Sequence, residues 1–301
     1  MKRILSAFFY SALFFVLAPG GDCSSLPPEP ISVTVSILPL ANLVERIGGE
    51  RVRVLTLVPP GQNPHVFEPS PRQLVQAGQS RILFHIGLSF EKQIVQRLAK
   101  ASADLRVVDL SRRKPEGSGE HGQAHHEHGP QDPHIWLSPP LIPSQLRLIE
   151  KALTEADPSG EASYHERLVK SEEIFAKLDR EIGDLLAPFK GRSFYVFHPA
   201  FGRFAETYGL KEIAIELEGK SPTPRRVAGV IEEARRLGVR TLFVQPQFDR
   251  KSAAVIARAL EAELVVLDPL GPDLAANLRE MASKIRVALE KQKIGNTEEK
   301  P

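Results

Sequence analysis

Between Ser159 and Leu186 the chain reads SGEASYHERLVKSEEIFAKLDREIGDLL. Ile174, Leu178, Ile182, Leu185 and Leu186 recur there at helical spacing among charged residues, the pattern of an amphipathic helix. Pro158 suits the first turn of such a helix and Pro188 ends it, so one helix is expected over 158–188. Two shorter helices in series are the alternative. At 1.5 Å per residue a single helix spans about 40 Å, enough to run down the side of two lobes. The sequence on either side of it therefore reads as two units.

The first unit, 31–150, carries strand-like apolar runs at Ser32–Ile37, Val52–Val58, Arg81–Ile86 and Leu105–Leu110. Helical patterns lie between them at Leu40–Ile47, Pro71–Gln79 and Phe90–Lys100. The second unit, 191–292, repeats the plan. Its strand candidates are Ser193–Phe197, Glu212–Leu217, Thr241–Gln245 and Glu263–Leu267, and its helices are Pro224–Leu237, Lys251–Leu260 and Asp273–Lys291. Strands alternating with helices imply parallel sheets with right-handed crossovers. The expected class is α/β: two lobes, each with a four-stranded, mainly parallel sheet flanked by helices, joined by one long helix.

The ends and the composition narrow the function. Lys2 and Arg3 precede an uncharged run, Ile4–Ala18, broken by Pro19, Gly20 and Gly21. Residues 1–20 read as an export signal, since the run is short for a membrane span and none later is longer. Cys23 is the only cysteine, so an intramolecular disulfide and a cysteine-rich zinc site are both excluded. A lipid anchor at Cys23 is an alternative to simple cleavage, although Asp22 beside it departs from the usual pattern. Without Lys2 and Arg3 the 39 basic residues fall to the same number as the 37 acidic ones. A near-neutral mature chain has no electrostatic footprint for nucleic acid. Residues 112–131 hold four of the nine histidines, His121, His125, His126 and His128, among glycines and charges. That stretch has no large apolar residue to build a core and is expected to be disordered. Its imidazoles are candidate weak zinc sites; a merely solubilising linker is the alternative.

Four metal-ligand side chains lie well apart along the chain: His65 in NPHVFEPSP, His134 in DPHIWLSP, His198 in FHPAFGRF and Asp268 in LDPLG. His198 and Asp268 directly follow strand-like runs, and His65 follows another after a Pro/Gly turn. Ligands in open α/β sheets bind beyond the carboxyl ends of the strands, where these four can converge. Three imidazoles and one carboxylate suit tetrahedral Zn²⁺, whereas Mn²⁺ asks for more oxygen. Asp268 before Pro269 is also an ordinary turn former. His85, at the end of a strand, is a candidate support for the site or a buried, hydrogen-bonded histidine. Glu68 is a candidate helix cap or an acceptor for a ligand imidazole. His165, among charges on the long helix, is expected to be solvated.

Taken in order, NPHVFEPSP, DPHIWLSP, FHPAFGRFAETYG and LDPLG resemble the zinc-type solute-binding proteins of bacterial ABC transporters, the ZnuA-like group. The resemblance covers nearly the whole mature chain. It implies two lobes with the metal in the cleft between them, and His65, His134, His198 and Asp268 as ligands. It also implies a His-rich loop before the second ligand, a periplasmic monomeric receptor, and a membrane permease with a cytoplasmic ATPase as partners. Transported Zn²⁺, not a catalytic cofactor, is then the ligand, and no enzyme activity is expected. A secreted metal buffer, an adhesin and a zinc hydrolase are the rival readings; the chain holds no H-E-x-x-H for the last. Two positions depart from the family pattern: Arg203 stands where an aromatic residue is common, and Asn63 where Asp is common.

Overall fold

The computed structural model describes residues 29–111, 132–216 and 224–292. Residues 1–28, with Cys23, and the segment 112–131, with its four histidines, lie outside the described residues. The first half contains β1 (Ile31–Val35), β2 (Val52–Thr56), β3 (Ile82–His85) and β4 (Arg106–Asp109), with α1 (Leu38–Gly48), α2 (Pro71–Gly78) and α3 (Glu91–Ala101) between them. The second contains β5 (Ser193–Val196), β6 (Lys211–Ala214), β7 (Thr241–Val244) and β8 (Glu263–Val266). Its helices are α6 (Gly202–Thr207), α7 (Pro224–Arg236), α8 (Arg250–Leu260) and α9 (Leu274–Lys291). The sheets have the same plan, β2-β1-β3-β4 and β6-β5-β7-β8, and every pairing in both is parallel. In each, the strand order reverses beside the first strand, which opens a crevice at the carboxyl edge.

Helix α5 (Glu161–Leu186) joins the halves as one continuous helix of 26 residues, flanked by 3-10 turns at Pro158–Gly160 and Ala187–Phe189. Its buried stripe is Tyr164, Leu168, Ser171, Phe175, Leu178, Ile182 and Leu186. Ile174, read from the sequence as part of the apolar face, is instead 42% exposed. The stripe advances in steps of three or four, so Phe175 takes the inward position and Ile174 turns out beside it. His165 is exposed, with Nδ1 3.6 Å from a Glu150 carboxylate oxygen.

Helix α4 (Ile142–Ala156) has no counterpart in the sequence reading. It buries Ile142, Leu146, Ile149 and Leu153 at helical spacing and packs on α5. Pro139, Pro140 and Pro143 obscure the pattern. Pro143 is nevertheless accommodated, because amides in the first turn have no intrahelical acceptor to lose.

One apolar core runs from β1 through α1, α4 and α5 to α9, and takes in Phe194 and Val196 of β5. Tyr195, and Phe197 just beyond the strand, face a second core with Leu242, Ile256 and Leu260. Side chains of a strand alternate between faces, so the second sheet is covered on both sides, as parallel sheets require. The shared core fixes the two crevices relative to each other. Bonds across the halves add to it: Arg46 to Asp273 at 3.3 Å, and the Leu274 amide to Asn42 Oδ1 at 3.3 Å.

Candidate metal centre

His198 lies two residues beyond the end of β5 and is 3% exposed. Its Nδ1 is 3.0 Å from Glu216 Oε2. Strand register explains the pair. Val196 of β5 is opposite Ala214 of β6, so two residues further on, His198 and Glu216 are neighbours as well. The His198 ring stacks on Phe248 at 4.2 Å and 22°, and its carbonyl accepts from Gln245 Nε2 at 2.6 Å. With Nδ1 engaged by a carboxylate, the ring presents Nε2 to the crevice. This is the arrangement by which a carboxylate fixes the tautomer and orientation of a metal-binding histidine.

His134 repeats it with a local partner. Asp132 Oδ1 accepts from the His134 amide at 3.0 Å and lies 2.6 Å from its Nδ1. The bonds to His134 hold the Asp132 carboxyl below its ordinary value, although burial alone would raise it. His134 is 7% exposed and opens a buried 3-10 turn, Ile135–Leu137. Trp136 in that turn donates Nε1–H to the carbonyl of Pro269 at 2.7 Å, tying the turn to the segment after β8.

His65 arrives differently. It sits in a 3-10 turn, Pro64–Val66, whose cap is Asn63: the Asn63 Oδ1 accepts from the His65 amide at 2.9 Å. The residue is exposed at the rim, yet its Nε2 lies 3.1 Å from His198 Nε2. Ring centroids are 4.8 Å from His198 and 6.1 Å from His134. One ligand atom from each of the three histidines lies within 4.8 Å of the others. The 3.1 Å contact is within hydrogen-bond distance, and the three imidazoles together are grouped closely enough that they could hold a metal ion.

The electrostatics agree. Desolvation, then the neighbouring His134, lowers His65 from 6.5 to about 4. Desolvation, then His65 and His134, lowers His198 from 6.5 to about 3. Both rings are therefore neutral at physiological pH, the form that binds metal. Burial raises Glu216 above the usual carboxylate value.

Asp268 is not in the group of three. It lies two residues beyond β8, and its Oδ1 accepts from Gln247 Nε2 and from the Leu270 amide, both at 2.9 Å. His85 ends β3 with its Nδ1 3.9 Å from Glu91 Oε2, outside the cluster. Burial pushes Glu91 up to about 7, against bonds it accepts from the Ile86 and Leu88 amides. Glu68 is exposed and does not cap α2: Ser70 and Gln73 do, as a reciprocal capping box. Ser70 is the residue immediately before the helix, where its short side chain reaches the Gln73 amide.

The two departures from the family pattern have places here. Asn63 retains the capping oxygen an Asp would supply, and Arg203 donates Nε–H to the Asp132 carbonyl at 3.4 Å.

The sequence reading passed over Asp132, Glu216, Gln245, Gln247 and Phe248. Asp132 was within reach, because an Asp two residues before a histidine can turn back on it. Glu216 becomes visible only once the β5–β6 register is known.

Known proteins are similar to this chain in sequence and in fold. The family model for ZnuA, described as zinc-uptake complex component A, periplasmic, matches residues 33–288. The chain belongs to the ZnuA family. Among ZnuA relatives, the high-affinity zinc uptake system protein of Brucella suis biovar 1 (strain 1330) is 28% identical over 340 residues, covering 97% of this chain and 100% of that protein. The manganese ABC transporter substrate-binding lipoprotein PsaA of Streptococcus pneumoniae is 26% identical over 271 residues, 86% of each chain. A ZnuA crystal structure superposes with TM-score 0.79 at 36% identity, covering 87% of this chain and 100% of that one. A ZnuA variant lacking 138–173, with zinc bound, matches with TM-score 0.78 at 35% identity over 86% of this chain and 98% of that one.

Proposed function

We propose that this chain captures Zn²⁺ outside the cytoplasmic membrane and delivers it to the permease of an ABC transporter, driven by a cytoplasmic ATPase. The observation that carries the reading is the convergence of three imidazoles from both halves, with the outer nitrogens of two held by carboxylates. His65, His134 and His198 are the ligands. Water or Asp268 takes the fourth tetrahedral position. The lobes 31–150 and 191–292 close on the ion from either side of the helix 158–188, after export directed by residues 1–20. His121, His125, His126 and His128 collect further zinc weakly, raising its concentration near the cleft.

Zn²⁺ is cargo, so the site must bind and release it without chemistry. The carboxylates beside the imidazoles support this over a hydrolase: Asp132 and Glu216 are each committed to a ring Nδ1. Neither stands free to take a proton from a bound water.

The test is metal analysis and chelator competition on the purified mature chain, with zinc-starved growth of a deletion strain. One tightly held Zn²⁺ per chain, lost when all three histidines become Ala, is expected. Tight zinc surviving that triple change, or normal zinc-limited growth without the protein, would overturn the reading.

A further inference from the structure

The segment Leu267–Leu270 is pinned from several sides. Its backbone is held by Asn277 Nδ2, which donates to the Asp268 carbonyl at 2.8 Å, and by Trp136 at Pro269. The carboxylate of Asp268 has two donors on the same oxygen, Gln247 Nε2 and the Leu270 amide. The Leu270 bond is a local turn and follows from the backbone path. The Gln247 bond does not, because it crosses from the loop after β7. Gln247 also leaves its own Oε1 buried with no hydrogen-bond partner among the described residues. Turning the amide over would bring that oxygen against the carboxylate, so Asp268 dictates the orientation at the cost of an unpaired acceptor. Gln247 and Asp268 line one wall of a cavity of about 210 Å³, facing Leu38, Val58 and Pro60 from the first half. There is room beside the carboxylate for it to move.

We propose that Gln247 is a specificity residue: by restraining Asp268 it keeps the site nitrogen-rich and biases it toward Zn²⁺ over oxygen-preferring cations such as Mn²⁺. The inference rests on the reading of the three histidines as the ion's ligands. Zn²⁺ accepts three imidazoles and a water, whereas Mn²⁺ gains more from a carboxylate oxygen. The bond from Gln247 fixes how the carboxylate is turned, so swinging either of its oxygens toward an ion costs that bond. That cost weighs most on the cation that needs the carboxylate most.

Zn²⁺ and Mn²⁺ affinities of the full chain, measured by competition with a metal-indicator chelator, test this. Gln247→Ala should raise Mn²⁺ affinity relative to Zn²⁺ by about tenfold, the scale of one hydrogen bond to a charged group. The double variant Gln247→Ala/Asp268→Asn should return the ratio to that of the parent. Gln247→Met, which keeps the bulk of the side chain and removes only the N–H donor, should raise the ratio in the same way. This last measurement serves even if Gln247→Ala folds poorly. An unchanged ratio in Gln247→Ala or in Gln247→Met, or a ratio that stays raised in the double variant, overturns the tether alone. Zinc retained after His198→Ala overturns the histidine reading, and the tether with it.

Discussion

His198 and His65 meet at 3.1 Å from opposite halves of the molecule, by very different means. His198 stands at a strand end, gripped by Glu216 at Nδ1, by Phe248 against its face and by Gln245 at its carbonyl. His65 rides on a solvent-facing 3-10 turn after a Pro/Gly-rich loop, positioned by the single cap from Asn63. The side chain beside it, Val66, is 76% exposed. Of these two proposed ligands, His198 is held in place and His65 is supplied from the rim. A receptor that must release its cargo gains from such an asymmetry. The buried half defines the geometry, and the rim half can leave first without unfolding anything.

The largest effect should come from breaking the preformed side. A structural zinc site is worth roughly 10–16 kcal/mol, so one donor in four carries about 3–4 kcal/mol. His198→Ala should therefore weaken zinc by two to three decades, about 1.4 kcal/mol each, in a competition titration. His65→Ala should cost about tenfold less than His198→Ala, because a water entering from the rim can replace an exposed ligand. Equal losses would remove the asymmetry.

Glu216→Ala comes next. Removing a carboxylate that orients a ligand histidine typically costs about 10–100-fold in metal affinity. The same change should leave the metal-free fold nearly intact, as read by circular dichroism. An effect below twofold would mean that Phe248 and Gln245 suffice to hold the ring.

The metal-free chain should also respond to pH. Both histidines have folded pKa values, about 4 and about 3, below the unfolded value of 6.5. As pH falls from 6.5 toward 4, the unfolded chain takes up protons that the folded chain refuses. These two rings therefore lower stability across that window, while Glu91 and Glu212, both raised from 4.5 to about 7 by burial, raise it as pH falls through the same range. The imidazole contribution is read by difference: between pH 6.5 and 4 the melting temperature of the chelator-treated parent should lose more, or gain less, than that of His198→Ala. Identical pH dependence in the parent and in His198→Ala would contradict a buried, neutral His198 ring.

Much of this architecture could be read in the residues. The strand runs are β-branched and apolar between Gly, Pro and charged breaks, so eight strands were expected close to where they lie. The long helix was legible from its prolines and its periodicity, but its inward stripe was not. Ile174 and Phe175 are equally apolar neighbours, and only packing chooses between them. Helix α4 hid behind three prolines that a first turn tolerates. Three histidines of the site were legible from their motifs. Glu216 depended on strand register, and the bond from Gln247 to Asp268 depended on loops after two different strands, information that no local pattern carries.

The smallest effect should fall on the lightly held side. Asn63→Ala removes the oxygen that receives the His65 amide, a cap worth about 1 kcal/mol. The turn itself survives, because Pro64 still presets its first backbone angle. The cost appears only as lost preorganisation of His65, so zinc should weaken by about fivefold at most, the equilibrium equivalent of that energy. Since the cap restrains the rim ligand, its loss should act on release: the zinc off-rate to a chelator should rise by a similar factor while capture stays near its parent rate. Asn63→Asp, which keeps the acceptor, should restore the parent rate. If Asn63→Ala instead slowed release, or weakened zinc as much as Glu216→Ala, His65 would be held more firmly than its single cap implies. The division between a fixed and a yielding half would then fail.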